Sequence, residues 1–294
     1  MKAPRSVRRS WLTLSLSLVA AGVLARAQPL ENWAVRGQAV KDQAVKDQFQ
    51  PQVGQQGKDV VWVPTADVLV NKMLEMAKVT PQDYVMDLGS GDGRTVIAAA
   101  KRGARALGIE YNPDMVELSK RNAVNEGIGD TARFVKADLF ESDFSEATVI
   151  TMFLLPDINL RLRPKILDLR PGTRIVSNTF TMGEWTADET ATVRDDGCST
   201  YCTALLWIVP AKVAGTWHLP RGALSLTQSF QMVAGTLTSG ESTNPITNGR
   251  LRGDQISFSV GAAQYTGRVD GNTIEGTMTS GGGHNTWTAT RTRT

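Results

Sequence analysis

The sequence predicts an α/β fold, a Rossmann-like sheet, followed by a small C-terminal antiparallel β barrel or sandwich. Three observations predict it. Between residues 60 and 210 short apolar segments alternate with helix-period segments, the pattern of a parallel sheet with right-handed crossovers. The glycine-rich turn Gly89-Ser90-Gly91-Asp92-Gly93 stands between one such strand and one such helix. Residues 211–294 then hold 15 threonines and 13 glycines but one lysine, with apolar and polar residues alternating. The 294 residues suffice for two domains, and 41% hydrophobic with 21% charged residues excludes wholesale disorder and fibrous classes.

Residues 1–27 read as an export signal. Lys2, Arg5, Arg8 and Arg9 make a basic start, Trp11 to Ala25 is uncharged and mostly apolar, and Ala25-Arg26-Ala27 is a cleavage pattern. The apolar run is shorter than the roughly 20 residues of a spanning helix. The expectation is a bacterial periplasmic or envelope protein with no stable membrane span after cleavage. Arg8-Arg9 resembles a twin-arginine signal, which carries folded proteins; organelle targeting and an uncleaved N-terminal anchor are the alternatives. The signal also explains the formal net charge of +3. Without it the balance turns to −2, so no nucleic-acid partner is expected. Residues 28–59 read as a polar tether with eight glutamines and a direct repeat, residues 38–42 and 43–47, with the folded body starting near Val60.

The elements then follow in order. Thr65 can cap a helix over residues 66–78. Residues 84–88 are a buried strand, residues 95–101 an alanine-rich helix, and residues 106–110 a second strand. Asn112 caps a helix with Pro113 at its first position, running to about Glu126. Residues 133–137, 148–154 and 173–177 are further strands, and residues 203–209 a last one. In such sheets ligands bind at the carboxyl ends of the strands.

The turn at Gly89 discriminates between nucleotide sites. A dinucleotide fingerprint requires a small residue five positions after Gly89, where Arg94 stands. A P-loop is excluded because no Gly-Lys-Ser/Thr follows. Acids instead end three strands: Asp87, then Glu110 23 residues later, then Asp138. A carboxylate can accept two hydroxyl protons at once.

This ordered set resembles the motifs of class I S-adenosylmethionine-dependent methyltransferases. The resemblance implies S-adenosyl-L-methionine as cofactor. Asp87 and the turn, Gly89, Ser90, Gly91 and Gly93, would lie at its methionine end. Glu110 with Tyr111 would meet the ribose, and Asp138 with Leu139 the adenine. Residues 87–117, Leu154-Leu155-Pro156, residues 162–167 and residues 171–177 more closely resemble the mitochondrial protein-lysine methyltransferases and their bacterial relatives. That resemblance covers about residues 60–190 and implies N-methylation of protein lysine. Phe153-Leu154-Leu155-Pro156 replaces the Asn/Asp-Pro-Pro-Tyr motif of enzymes acting on bases or glutamine. The alternatives are a small-molecule methyltransferase, or an exported binding or assembly protein that keeps the fold without catalysis.

A lysine nucleophile must lose its proton, and the enzyme domain contains no histidine: His218 and His284 both come later. Candidates beside the acceptor are Asp157 and Asn159 after the fourth strand, and Glu184 and Trp185 after the fifth, none of them assigned as base. Cys198 and Cys202 would close a short disulfide in an exported protein, shaping a turn more than adding stability; free thiols are the alternative. No metal site is expected from so few histidines and cysteines. The C-terminal domain should hold six to eight strands over a core including Trp217, Phe230, Phe258, Tyr265 and Trp287, with substrate docking, dimer contact or envelope attachment as its possible roles.

Overall fold

The structure, a computed structural model, describes residues 49–194 and 197–291. The expected signal, and the tether as far as residue 48, lie outside the described residues. The folded body begins before Val60. Residues 54–62 close a hairpin in which the Gly54 and Trp62 amides donate to Trp62 O and Gln55 O at 2.8 and 2.9 Å. The polar composition of residues 54–59 suggested a tether, yet Lys58 among them pairs with Asp138, far along the chain.

Seven strands form one sheet in the order β3 (Ala132–Lys136), β2 (Arg105–Glu110), β1 (Tyr84–Leu88), β4 (Val149–Met152), β5 (Arg174–Asn178), β7 (Thr203–Ile208), β6 (Glu189–Thr192). The first five are parallel, and β7 runs antiparallel to both β5 and β6. Successive residues of the central strands serve opposite faces. Val149 and Val176 join the core with Leu69, Met73 and Val96, while Ile150 and Ile175 join Leu162, Ile166 and Trp207. Burial on both faces is why these strands are continuously apolar.

Among the described residues four helices cover the sheet: α1 (Asp67–Met76), α2 (Arg94–Lys101), α3 (Pro113–Asn125) and α4 (Pro156–Leu167). The Asn112 side chain accepts from the Asp114 amide at 2.9 Å, capping α3 as expected. Thr65 does not cap α1: the N-cap is Ala66, and the Thr65 hydroxyl accepts from Asn178 instead, at 3.3 Å. The sequence reading missed α4, whose interior Pro164 interrupts the hydrogen-bond ladder. Burial of Ile158, Leu162 and Ile166 on one stripe holds it in place.

The C-terminal strands close into an eight-stranded barrel. They run β8 (Gly215–Leu219), β9 (Gly222–Ser229), β10 (Met232–Ser239), β11 (Ser242–Pro245), β12 (Thr247–Arg252), β13 (Gln255–Val260), β14 (Ala263–Asp270), β15 (Thr273–Ser280) and β16 (Gly283–Thr290). The ring passes β10-β12-β13-β14-β15-β16-β8-β9 and returns to β10, leaving β11 as a short addition on β10. Trp217, Leu224, Leu251, Ile256, Phe258 and Trp287 fill the interior, with Tyr265 packed against them. Phe230 departs from the expected barrel core. It stacks on Trp185 of the enzyme domain, ring centroids 5.9 Å apart. Beside it Gln231 donates to Thr186 O at 2.8 Å, and Arg250 pairs at 2.7 Å with Asp188, whose side chain is fully buried. The barrel is thereby fastened to the segment leading into edge strand β6. No described helix is long and apolar enough to cross a membrane.

Candidate active site

A cleft of about 1390 Å³, its open mouth included, runs along the carboxyl ends of the parallel strands. The strand order sets out its chemistry. The ends of β3, β2 and β1 carry Asp138, Glu110 and Asp87; the exits of β4 and β5 carry Phe153 and Phe180. An antiparallel strand enters a sheet where its parallel neighbours leave, so Tyr201, two residues before β7, reaches the same edge. One half of the cleft is therefore acidic and the other aromatic.

The glycine turn is held from below and behind. The Gly89 and Ser90 amides donate to Ile109 O at 2.9 and 3.1 Å. Ser119 Oγ on α3 lies 2.8 Å from Gly91 O, and one turn on Asn122 donates to Asp92 O at 2.9 Å. Gly91 has φ +53°, and a Cβ there would lie 2.7 Å from the Trp62 indole nitrogen. Gly93, the left-handed cap of α2, is the one candidate cofactor residue outside the cleft. A Cβ on Gly93 would meet the Phe134 ring at 2.8 Å, so packing explains this glycine. Ser90 Oγ is buried without a hydrogen-bond partner and lies 2.5 Å from where a Gly108 Cβ would stand, so its hydroxyl points back to β2. Arg94 fits where a dinucleotide site needs a small residue because it turns aside, gripping Asp92 and donating to Thr65 O at 3.0 Å.

The three strand-end acids are held differently. Glu110 accepts the Gly91 amide on one oxygen (3.0 Å) and the Asn112 amide on the other (2.9 Å). Each oxygen keeps a second lone pair, so the ribose role foreseen for it is compatible with this clamp. Asp138 accepts the Phe140 amide at 2.9 Å and forms an ion pair with Lys58, which holds its carboxyl below the usual range. Lys58 also lies over the Tyr111 ring, 4.7 Å from its centroid. The expected adenine edge is thus covered by the hairpin at residues 54–62. Asp87 is buried and accepts from the Thr151 hydroxyl at 2.6 Å. Burial pushes its carboxyl up to about 7, with the charges of Glu110 and Asp92 adding and the Thr151 bond opposing.

The Asp87 site suits a cationic cofactor. A buried carboxylate held by one hydroxyl, beside two more acids, needs a cation to be stable as an anion. S-adenosylmethionine carries a sulfonium and an ammonium, and the glycine turn gives the backbone close access. Asp87, Gly89, Gly91, Glu110, Tyr111, Asp138 and Leu139 all line the cleft and fit that ligand.

The four residues considered as bases lie elsewhere. Asp157 is exposed on α4, and Glu184 pairs with Arg163 on the surface. Trp185 is fully buried against Trp207. Asn159 donates to Phe180 O and Thr181 O at 3.3 and 3.1 Å, fixing the loop after β5. Sequence reasoning missed Thr151, Ser119, Asn122, Trp62 and Tyr201. Thr151 and Ser119 are fully buried and Asn122 half-buried, each bonded to a partner distant in sequence.

The family described as the ANTKMT methyltransferase domain matches residues 87–189. A protein-lysine N-methyltransferase from Saccharolobus islandicus is 45% identical over 139 residues, 46% of this chain and 86% of that protein. The adenine nucleotide translocase lysine N-methyltransferase of Mus musculus is 34% identical over 118 residues, 40% of this chain and 51% of that protein. The chain thus spans about half the length of that relative. An RNA methyltransferase from Salinibacter ruber, solved with S-adenosyl-L-homocysteine, is 46% identical and is covered to 96%, with 51% of this chain and a TM-score of 0.48. With the acids and glycine turn assembled in one cleft, this chain belongs to the class I S-adenosylmethionine-dependent methyltransferases, in the family that includes the Saccharolobus protein-lysine N-methyltransferase.

Proposed function

We propose that the chain is an exported protein-lysine N-methyltransferase. The observation that carries the acceptor class is the aromatic half of the cleft. Phe153, Leu154 and Leu155 at the exit of β4 and Phe180 at the exit of β5 line it, and no histidine lines the cleft among the described residues. A nucleobase or glutamine amide needs in-plane polar partners; an alkylamine needs an apolar channel for its stem. The identity to the Saccharolobus enzyme supports the same class.

When bound, S-adenosylmethionine supplies an electrophilic methyl on a sulfonium. The chain's own residues orient and exclude water. Asp87 and the turn fix the cationic end, and Glu110 the sugar. The aromatic wall desolvates the acceptor nitrogen, which disfavours its ammonium form, and a nearby cation pushes the same way. The proton leaves to solvent at the open mouth, so no protein base is required. Proximity and desolvation are the main contributions such a site makes.

Export rests on the basic start, apolar run and Ala25-Arg26-Ala27 pattern, and the Cys198–Cys202 disulfide supports it. The acceptor test is transfer of a labelled methyl group from S-adenosylmethionine to protein and RNA fractions of an envelope extract, followed by acid hydrolysis of the labelled product. Methyl-lysine is the expected product. Label confined to RNA or to small metabolites would overturn the reading. For export, replacing Arg8 and Arg9 by lysine should retain the protein inside the cell if the signal is a twin-arginine one; unchanged export would leave only the general secretory route.

A further inference from the structure

Tyr201 stands apart from the rest of the cleft lining because its position rests on a covalent closure. Cys198 and Cys202 form a disulfide across four residues, Cα atoms 5.8 Å apart, and Tyr201 is the residue immediately inside it. Its φ of +55° is left-handed, a conformation costly for a bulky side chain without an outside constraint. After the disulfide the chain is pinned again. Val193 N donates to Cys202 O at 2.9 Å, and Thr179 N to Thr203 O at 2.7 Å. The loop has a closed neck, and the ring of Tyr201 is its projecting part, 44% exposed.

That ring completes an aromatic wall. Tyr201 lies 5.3 Å from Phe153 and 5.7 Å from Phe180 between centroids, and those two rings stack at 5.8 Å. These are packing distances, too short to enclose an ammonium among the three rings. A lysine side chain must lie along their outer faces, its methylenes on carbon and its nitrogen over an exposed ring face of the wall, where the positive charge arriving with the methyl group meets negative π density. Phe153 and Phe180 are set by β4 and β5. Tyr201 is set by the loop alone.

We propose that Tyr201 is a positioning residue for the acceptor lysine and that the Cys198–Cys202 disulfide holds it there, making acceptor binding dependent on the oxidised state. The proposal rests on the protein-lysine reading above. Reduction by an added dithiol converts the S–S bond to two thiols while the dithiol closes to its own disulfide. Both cysteines are only partly buried, so a reductant has access. Once reduced, the loop has no covalent reason to keep Tyr201 left-handed, and the wall loses its third ring. The cofactor half, on β1, β2 and β3, touches neither cysteine.

The experiment compares the full chain, oxidised and after dithiol treatment, with Tyr201→Ala, Tyr201→Phe and the Cys198→Ser/Cys202→Ser pair. Three quantities are read. The first is the dissociation constant of S-adenosylmethionine by calorimetry, and the second is binding of Nα-acetyl-Nε-trimethyl-lysine, a product mimic, by chemical-shift titration, which should weaken with the acceptor. The third is steady-state KM and kcat for the unmethylated form of a protein that the envelope-extract assay shows to be methylated on lysine. The expected result is a roughly tenfold rise in acceptor KM on reduction and in Tyr201→Ala, the worth of one desolvated ring contact. Tyr201→Phe should keep the oxidised value, the cysteine pair should match the reduced enzyme, and cofactor affinity should stay constant throughout. Reduction should do nothing further to Tyr201→Ala. An unchanged KM on reduction, an equal loss of cofactor affinity, or a Tyr201→Ala enzyme still sensitive to reduction would each overturn the proposal. If instead no lysine product forms in any sample, the protein-lysine reading itself fails.

Discussion

Replacing Asp87 by asparagine separates what stabilises this protein from what lets it bind its cofactor. Asp87 is buried and uncompensated by any cation among the described residues, and its carboxyl is pushed from 3.8 to about 7. The sign follows from linkage. Below pH 4 the acid is protonated in both folded and unfolded chains and contributes nothing. Between pH 4 and 7 the unfolded chain ionises while the folded one keeps its proton, so stability falls as pH rises. Above pH 7 the penalty is complete. At 1.36 kcal/mol for each pH unit separating the two values, the penalty is about 4 kcal/mol. Asparagine is neutral and similar in shape, and its carbonyl can still accept from Thr151. The cofactor-free Asp87→Asn protein should therefore be more stable at pH 8 by up to about 4 kcal/mol, a Tm rise on the order of 10 °C, with the gain vanishing toward pH 4. Cofactor affinity should move the other way. Wild-type binding should tighten as pH rises from 6 to 8, because the ligand's cations require the anion, and the asparagine variant should bind at least roughly tenfold more weakly at pH 8 with no such pH dependence. Scanning calorimetry without ligand and titration calorimetry with it give both numbers. A variant no more stable than wild type at pH 8, or a wild-type affinity flat from pH 6 to 8, would refute the reasoning.

Further tests probe the remaining supports. Gly93→Ala places a Cβ against Phe134 and Ser119 at φ +84° and should cost about 2–4 kcal/mol in urea unfolding. Gly91→Ala, facing Trp62 at 2.7 Å, should disturb the hairpin at residues 54–62 and weaken cofactor binding more than stability, read by titration calorimetry. Lys58→Ala frees Asp138 and should tighten cofactor binding, most visibly at low salt, if the ion pair covers the adenine edge. Arg250→Ala leaves the buried Asp188 carboxylate with the Ile208 amide as its one remaining partner among the described residues and should cost about 1–3 kcal/mol, with faster proteolysis between the barrel and the enzyme domain.

What the sequence revealed and what it hid divide along one physical line. Asp87, Glu110, Asp138 and the glycine turn were legible because their requirements are local: a strand ends, the chain turns, and only certain residues fit. Asn112 was legible for the same reason. Thr65 was misread because a capping residue and a hydrogen-bond acceptor 113 positions from its partner look identical in one dimension. Residues 54–59 were misread because this arm of the hairpin places Lys58 on Asp138, a contact that composition does not encode. The aromatic wall was invisible as a unit, since Phe153, Phe180 and Tyr201 come from three separate strand ends.

The same distinction bears on why a barrel accompanies this enzyme. Three of its attachments, Phe230 on Trp185, Gln231 on Thr186 and Arg250 on Asp188, fall on the stretch between β5 and β6, beside a pair of Arg252 with Glu189 of β6 and the Arg163 guanidinium of α4 over the Phe230 ring. That stretch includes, one residue from its start, Phe180, one ring of the acceptor wall, whose carbonyl is held by Asn159. Deletion of residues 211–294 would therefore loosen the acceptor half of the cleft and leave the ends of β1, β2 and β3 in place. Acceptor KM should rise while cofactor affinity holds, provided the truncated chain stays soluble once Trp185 and the start of β6 are uncovered. An enzyme domain that methylates lysine with unchanged KM after that deletion would confine the barrel to attachment alone.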